Sequence, residues 1–152
     1  MKKFMKSVCA MALALAYCTS TIFANGTNET VVNLADMESA VLDIGQVVMD
    51  DNLNRAKTTT SVSWNVSANA LKRASTTFPM AVGETVTINC TYSPKSADVD
   101  FGLIDSNNRF YYIGGSQGSI NCTITIEKRG DYRFAVCNNS SNTVSVTGFI
   151  EY

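Results

Sequence analysis

The sequence predicts an all-β fold, an antiparallel β-sandwich of about seven or eight short strands. From Ser61 to the end of the chain, apolar and polar residues alternate, as they do in strands with one face in a core. Residues that favour turns separate these runs at regular intervals. No helical segment lies between them, which disfavours a parallel α/β architecture.

The clearest hairpin in this pattern runs from Ser119 to Asn138. The apolar residues of its two strands alternate with polar ones: Ile120, Cys122, Ile124 and Ile126 in the first strand, and Tyr132, Phe134 and Val136 in the second. The turn between them ends at Gly130, which accepts a positive φ without a steric cost. Since an isolated hairpin is marginally stable, its apolar face needs a second layer of strands.

The remaining strands are predicted from shorter runs of the same period. Alternation occupies residues 61–67, 85–92 and 98–103, while 110–113 is predicted as a return strand and Val144, Val146, Phe149 and Tyr152 as the apolar residues of the last strand. A weaker run over 71–77 ends near Pro79, which has no N–H to donate and belongs on an edge or outside a strand. The run from Asp105 to Asn108 is strong turn chemistry between two of these strands.

The N-terminal residues 1–24 have the features of a secretory signal peptide. Three lysines precede an apolar run over residues 7–17 that is too short for a membrane anchor, and cleavage is expected after Ala24. A lipoprotein signal would need a small residue before Cys18, where Tyr17 stands. Residues 25–60 are then an acidic lead-in segment and linker, and residues 61–152 form the sandwich domain.

Within the lead-in, Val31 to Asp50 predicts a short helix. Its apolar residues recur every three or four positions: Leu34, Met37, Val41, Ile44 and Val48. Gly45 and several β-branched valines weaken that pattern, so a lead-in without fixed structure is the alternative.

Removal of the signal would leave an acidic chain with three cysteines. The signal holds three of the 12 basic side chains and none of the 13 acidic ones, so the formal charge becomes 9 − 13 = −4. This charge argues against a nucleic-acid or anionic-membrane partner. The remaining cysteines are Cys90, Cys122 and Cys137, too few for a disulfide scaffold.

The strand pattern places these cysteines differently. Cys90 and Cys122 point inward, so they are the pair expected if a disulfide forms, and otherwise they pack as small apolar residues. Cys137 has the opposite parity to Phe134 and Val136 and precedes a polar turn, so an exposed thiol is expected there. Zinc is disfavoured because the cysteines are scattered and the chain has no histidine.

The absence of histidine also argues against catalysis, since it removes the commonest general base and every Ser-His or Cys-His pair. The chain is therefore not expected to be an enzyme. The alternative is a small carbohydrate-active enzyme that uses Asp98 and Asp100 as an acid and base pair.

Two further groups of residues are candidate binding sites. Four side chains offer hard oxygen ligands at one end of a predicted hairpin, as calcium prefers: Asp98, Asp100, Asp105 and Asn107. The alternative is that Asp105 and the asparagines only form the turn. Beside them, Arg109 and an exposed Tyr111 are expected to contact a sugar, whereas Tyr112 shares the parity of Phe110 and is assigned to the core.

Three short motifs occur in order along the second half of the chain: VGETV at 82–86, DVDF at 98–101 and GDY at 130–132. Together they resemble the small jelly-roll-like β-sandwich domains of secreted bacterial proteins, the bacterial pre-peptidase C-terminal domain among them. The resemblance covers Phe78 to Tyr152 and implies a jelly-roll-like fold, a bacterial origin and no catalytic role. An immunoglobulin domain fits less well. Its tryptophan would lie between Cys90 and Cys137, but Trp64 precedes both, and Ala135, two residues before Cys137, stands where that fold has tyrosine.

From these observations we expect a secreted or cell-surface-associated, non-catalytic binding or interaction module. Its partner would be a protein or a carbohydrate, with calcium as a candidate cofactor. A structural component of an extracellular layer is a further alternative.

Overall fold

The structure, a computed structural model, describes residues 29–42, 47–51 and 59–152. The predicted signal peptide lies outside the described residues. The described residues form one 3₁₀ turn, Leu34–Asp36, and twelve strands: β1 (Thr30–Asn33), β2 (Glu38–Val41), β3 (Val47–Asp51), β4 (Thr59–Val66), β5 (Ala70–Ala74), β6 (Phe78–Met80), β7 (Thr85–Ser93), β8 (Val99–Ile104), β9 (Arg109–Gly114), β10 (Ser119–Thr125), β11 (Gly130–Asn138) and β12 (Val144–Glu151).

The strands form two packed sheets, which confirms the predicted all-β sandwich. The first sheet has the order β1-β10-β7-β12-β4, and the second has the order β2-β9-β8-β11-β5-β3. The short strand β6 pairs with the beginning of β11, while β5 pairs with its end. Pro79 lies in β6, in a short strand of the kind expected for a residue without a backbone donor.

The order of the central strands is that of a jelly roll. With β5 and β6 taken as one interrupted strand, the first sheet contributes β4-β12-β7-β10 and the second contributes β5-β11-β8-β9. All neighbours within these two four-stranded sets are antiparallel. Eight strands distributed in this way over two sheets define the jelly-roll architecture.

The main core fills the space between the sheets. Trp64 and Phe134 meet there with ring centroids 5.3 Å apart. Tyr132 is also buried, and its hydroxyl donates a hydrogen bond to the Lys128 carbonyl over 2.6 Å. This bond from the start of a strand to the preceding turn resembles the tyrosine corner of other β-sandwiches, so the GDY motif has a structural role here.

The helix predicted over Val31 to Asp50 is wrong for the described part of that segment. β1 pairs in parallel with β10, and β2 pairs antiparallel with β9. Between them the 3₁₀ turn places Leu34 in the main core with 4% of its surface exposed. The β-branched valines suit extended backbone, and strand pairing satisfies the N–H and C=O groups of two sheet edges, which a helix would leave open.

A second apolar cluster lies on the outer face of the second sheet. Its buried members have the parity opposite to the main core: Leu42, Leu71, Ile104, Phe110, Ala135 and Cys137. Ile104 directly follows the core residue Leu103 in β8, and Ala135 lies between the core residues Phe134 and Val136 in β11. Since successive side chains of a strand alternate, both residues point to the other side of the sheet. Both faces of this sheet therefore carry buried apolar side chains.

Candidate functional site

Cys137 belongs to the second cluster, which corrects the prediction of an exposed thiol. The parity argument was right in placing Cys137 opposite Phe134 and Val136. The face on that side is itself buried, however, and only 1% of the Cys137 surface is exposed.

Cys90 and Cys122 are buried and free, so the pairing considered for them does not form. In the register of β7 and β10, Cys90 lies opposite Ile120 and Cys122 lies opposite Ile88. The two cysteines are thus diagonal neighbours, roughly 7–8 Å apart, beyond the usual Cα separation of a disulfide. Burial raises the pKa of each thiol to about 12, so both remain protonated and pack as small apolar groups.

The predicted four-ligand calcium site is not assembled. Asp98 and Asp100 lie at the start of β8, whereas Asp105 and Asn107 follow its other end. At about 3.3 Å per residue, the strand separates the two pairs by about 15 Å or more. Asp105 Oδ1 instead accepts hydrogen bonds from the backbone N–H groups of Asn107 and Arg109, each over 2.9 Å, as the turn interpretation predicted. Among the described residues, no group of three or more His, Cys, Asp or Glu side chains is suited to hold a metal ion.

Asp98 and Asp100 fasten the loop after β11 to the start of β8. Asp100 is 8% exposed and accepts a hydrogen bond from Asn139 Nδ2 over 2.8 Å. The backbone of the exposed Asp98 bonds to Asn139 N at 2.9 Å and to Ser140 Oγ at 2.8 Å. Burial raises the pKa of Asp100 to about 6, and the nearby charges of Asp98 and Glu38 act in the same direction. The geometry gives this pair a role in joining loop and strand.

Arg109 and Tyr111 do not form the expected sugar-binding surface. Tyr111 is half-buried and packs against the main core, which corrects the prediction that it is exposed. Tyr112 packs on the second cluster, with its ring 5.2 Å from that of Phe110. Arg109 Nη1 donates a hydrogen bond to Ser39 Oγ over 3.2 Å, which joins β9 to its edge strand β2.

The outer face of the first sheet has a composition that no catalytic or metal-binding pattern in the sequence indicates. Strand registers place nineteen outward residues in rows across this face, and all but three are Ser, Thr or Asn. We call this set the polar grid. The exceptions are Val31, Phe149 and Glu151. The polar members are Asn33, Thr59, Ser61, Ser63, Asn65, Thr85, Thr87, Asn89, Thr91, Ser93, Ser119, Asn121, Thr123, Thr125, Ser145 and Thr147.

Side chains of the polar grid bond to each other across strands. Thr87 and Thr123 hydroxyls lie 2.8 Å apart, and Thr91 and Thr147 hydroxyls lie 3.1 Å apart. Such pairs stabilise adjacent strands and fix the orientation of the hydroxyl groups. Because a hydroxyl can donate one bond and accept two, these groups keep free capacity toward a ligand.

One end of the polar grid is recessed into a cleft of about 390 Å³. Five grid hydroxyls line it: Thr91, Ser93, Ser119, Ser145 and Thr147. Lys95 and Gln117 line it from the loops that follow β7 and precede β10. Gly118 has a φ of +84°, and a Cβ there would lie 2.5 Å from Lys95 Cγ, so the lysine stem packs directly over this glycine. We call this recess the hydroxyl cleft.

A second cleft of about 560 Å³ lies between β6 and β7. Phe78 and Tyr152 stack there with centroids 4.2 Å apart. Its charged side chain, Glu84, already accepts a hydrogen bond from Ala81 N over 2.7 Å. Fewer polar side chains line this cleft than line the hydroxyl cleft, and neither cleft includes Asp98 or Asp100.

Comparison with known proteins gives no further assignment, because the chain matches no family model and no curated protein. The resemblance to pre-peptidase C-terminal domains stays a prediction. The described residues include no helix that is both long and apolar enough to cross a membrane.

Proposed function

We propose that the protein is a secreted, non-catalytic glycan-binding module and that the hydroxyl cleft is its binding site. The observation that carries this proposal is the convergence of five Ser and Thr hydroxyls in one recess that contains no carboxylate. Sugar hydroxyl groups both donate and accept hydrogen bonds. Ser and Thr hydroxyls do the same, so a surface of them can accept from some sugar hydroxyls and donate to others. The volume of about 390 Å³ lies within the range of small-ligand sites.

The composition of the surrounding face supports the same function. Thr is common in strands because it suits a pleated surface, so its frequency alone says little. A solvated face ordinarily mixes Lys, Arg, Asp and Glu, however, whereas the polar grid holds a single charged residue, Glu151. A partner recognised mainly through charge would find little to bind here.

Phe149 provides an apolar contact next to the cleft. It is half-buried on the outer face, between Asn89 of β7 and Ser61 of β4. It is one row further along β12 than Thr147, which lines the cleft. Aromatic rings stack on the apolar faces of sugars while neighbouring amides and hydroxyls bond to the sugar hydroxyls. A glycan longer than the cleft would therefore extend over Phe149.

The test is a binding titration of short oligosaccharides, chosen from a glycan array probed with the protein. We expect Thr91→Val and Thr147→Val to weaken binding by about tenfold each, since each removes a hydroxyl in the cleft and keeps the side-chain shape. Thr87→Val is the matched control, because Thr87 lies on the same strand and face and makes the same kind of Thr–Thr bond outside the cleft. The proposal fails if the array shows no glycan binding, or if Thr87→Val weakens binding as much as Thr91→Val.

A further inference from the structure

The hydroxyl cleft contains one charged side chain, Lys95. Lys95 is exposed, and it makes no hydrogen bond or ion pair with any other residue that the structure describes. The Lys95 stem packs over Gly118, and a larger residue at position 118 would collide with the stem in this position. The ammonium group thus stands at the cleft without a carboxylate to neutralise it.

A ligand that covers this ammonium group is bound more tightly if it brings a negative charge. Charge-assisted hydrogen bonds are roughly twice as strong as neutral ones, and lysine acts as a compact point charge with three donors. A neutral sugar over Lys95 would displace water from the ammonium and accept a hydrogen bond from it, but without the added attraction between opposite charges. The cleft therefore discriminates among glycans through this one residue.

Two backbone N–H groups next to the cleft are closed to an anion. Phosphate sites usually gather several backbone N–H groups or a helix N-terminus around the anion. In the loop beside Lys95, the N–H groups of Ser116 and Ser119 bond to each other's carbonyls, over 2.9 and 3.0 Å. These two donors are already used, so they add nothing to the binding of an anion, whereas the Lys95 ammonium and the hydroxyls of the cleft do.

We infer that the hydroxyl cleft takes an acidic sugar, a uronic acid residue whose carboxylate pairs with Lys95 while its hydroxyls bond to the cleft hydroxyls. This inference rests on the proposed function and adds the ligand class to it. The glycan recognised is then a polysaccharide that contains uronic acid.

The experiment compares a uronic acid trisaccharide with its methyl ester, which has the same shape and no charge. We expect the protein to bind the acid about tenfold more tightly than the ester, and added salt to reduce that preference. Lys95→Gln should remove the preference, so that the acid and the ester bind with similar affinity. Lys128→Gln is the control with the same change of charge, because Lys128 lies in the turn at the opposite end of β10.

Each outcome separates this inference from the proposed function. If the ester binds as tightly as the acid, or if Lys95→Gln keeps the preference, the inference is wrong while glycan binding stands. A sulfated neutral trisaccharide that binds as tightly as the acid would overturn the assignment of a carboxylate. If neither acid nor ester nor any other glycan binds, the proposed function fails and this inference fails with it.

Discussion

The side-chain amide of Asn139 donates a hydrogen bond to Oδ2 of Asp100 over 2.8 Å, and this bond joins a loop to a buried carboxyl group. Asp100 lies opposite Cys137 in the register of β8 and β11, on the face that carries the second apolar cluster. The bond favours the ionised carboxylate, but burial outweighs it and raises the pKa of Asp100 to about 6, from 3.8.

This shift makes the stability depend on pH in a defined direction. Because the folded pKa lies above the unfolded one, the contribution of Asp100 is complete below pH 4 and is lost as pH rises through 6. The 2.2-unit difference corresponds to about 3 kcal/mol of unfolding free energy.

We expect Asp100→Asn, which keeps an acceptor for Asn139, to be more stable than the wild type at pH 7 and equal to it at pH 4. Urea unfolding at both pH values measures this difference, with the exposed Asp98→Asn as the control. A destabilised Asp100→Asn at pH 7 would contradict the assignment.

Asn138 is expected to be one of the most sensitive polar positions. It is fully buried, and its Nδ2 donates to the carbonyls of Val66, Ser67 and Asn142 over 2.8 to 3.0 Å. Its Oδ1 accepts the N–H of Ser140 over 2.9 Å. Asn138→Ala would leave these backbone groups without their partner, and we expect it to cost about 3 kcal/mol in urea unfolding. The control is Asn142→Ala, an exposed change expected to cost less than about 0.5 kcal/mol. Equal costs for the two changes would show that the Asn138 bonds contribute little.

The two free thiols should be inert in the folded protein. Cys90 is 1% exposed and Cys122 is 0% exposed, and each has its pKa raised to about 12 by burial. Since the thiolate is the reactive form, we expect iodoacetamide at pH 8 to modify neither residue until the protein is unfolded in urea. Peptide mass spectrometry before and after unfolding measures this. Modification of Cys90 or Cys122 within minutes under native conditions would show that the core opens locally.

Local patterns in the sequence allowed the strands, the antiparallel sandwich and the turn at Asp105 to be predicted, whereas the jelly-roll-like architecture was expected only from the resemblance to domains of secreted bacterial proteins. Period-two alternation identifies the two faces of a strand, but it does not tell which of them is covered. Cys137 shows this limit, since its parity was right and its exposure was wrong. Tyr111 faces the main core and Tyr112 faces the second cluster, which is the reverse of the prediction. The pattern could not distinguish the two faces, because the second sheet buries apolar residues on both sides.

Other features depended on contacts between distant parts of the chain. β1 pairs with β10, about ninety residues later, and no local pattern indicates such a partner. The polar grid was partly visible in the sequence, as the run of Ser and Asn residues between Val62, Trp64 and Val66. The hydroxyl cleft was not visible, because its walls come from loops that only the folded register brings beside Thr147.

The pairing of β1 with β10 and of β2 with β9 also determines which strands lie at one edge of each sheet. An unpaired strand at a sheet edge offers a row of free N–H and C=O groups to any other extended chain. These two four-residue strands occupy such an edge on each sheet, on the same side of the sandwich. A chain shortened to begin at β4 would keep its two-sheet core but expose β9 and β10 to other molecules. β1 and β2 thus replace longer strands at these edges with edges of four residues, and short edge strands limit edge-to-edge aggregation.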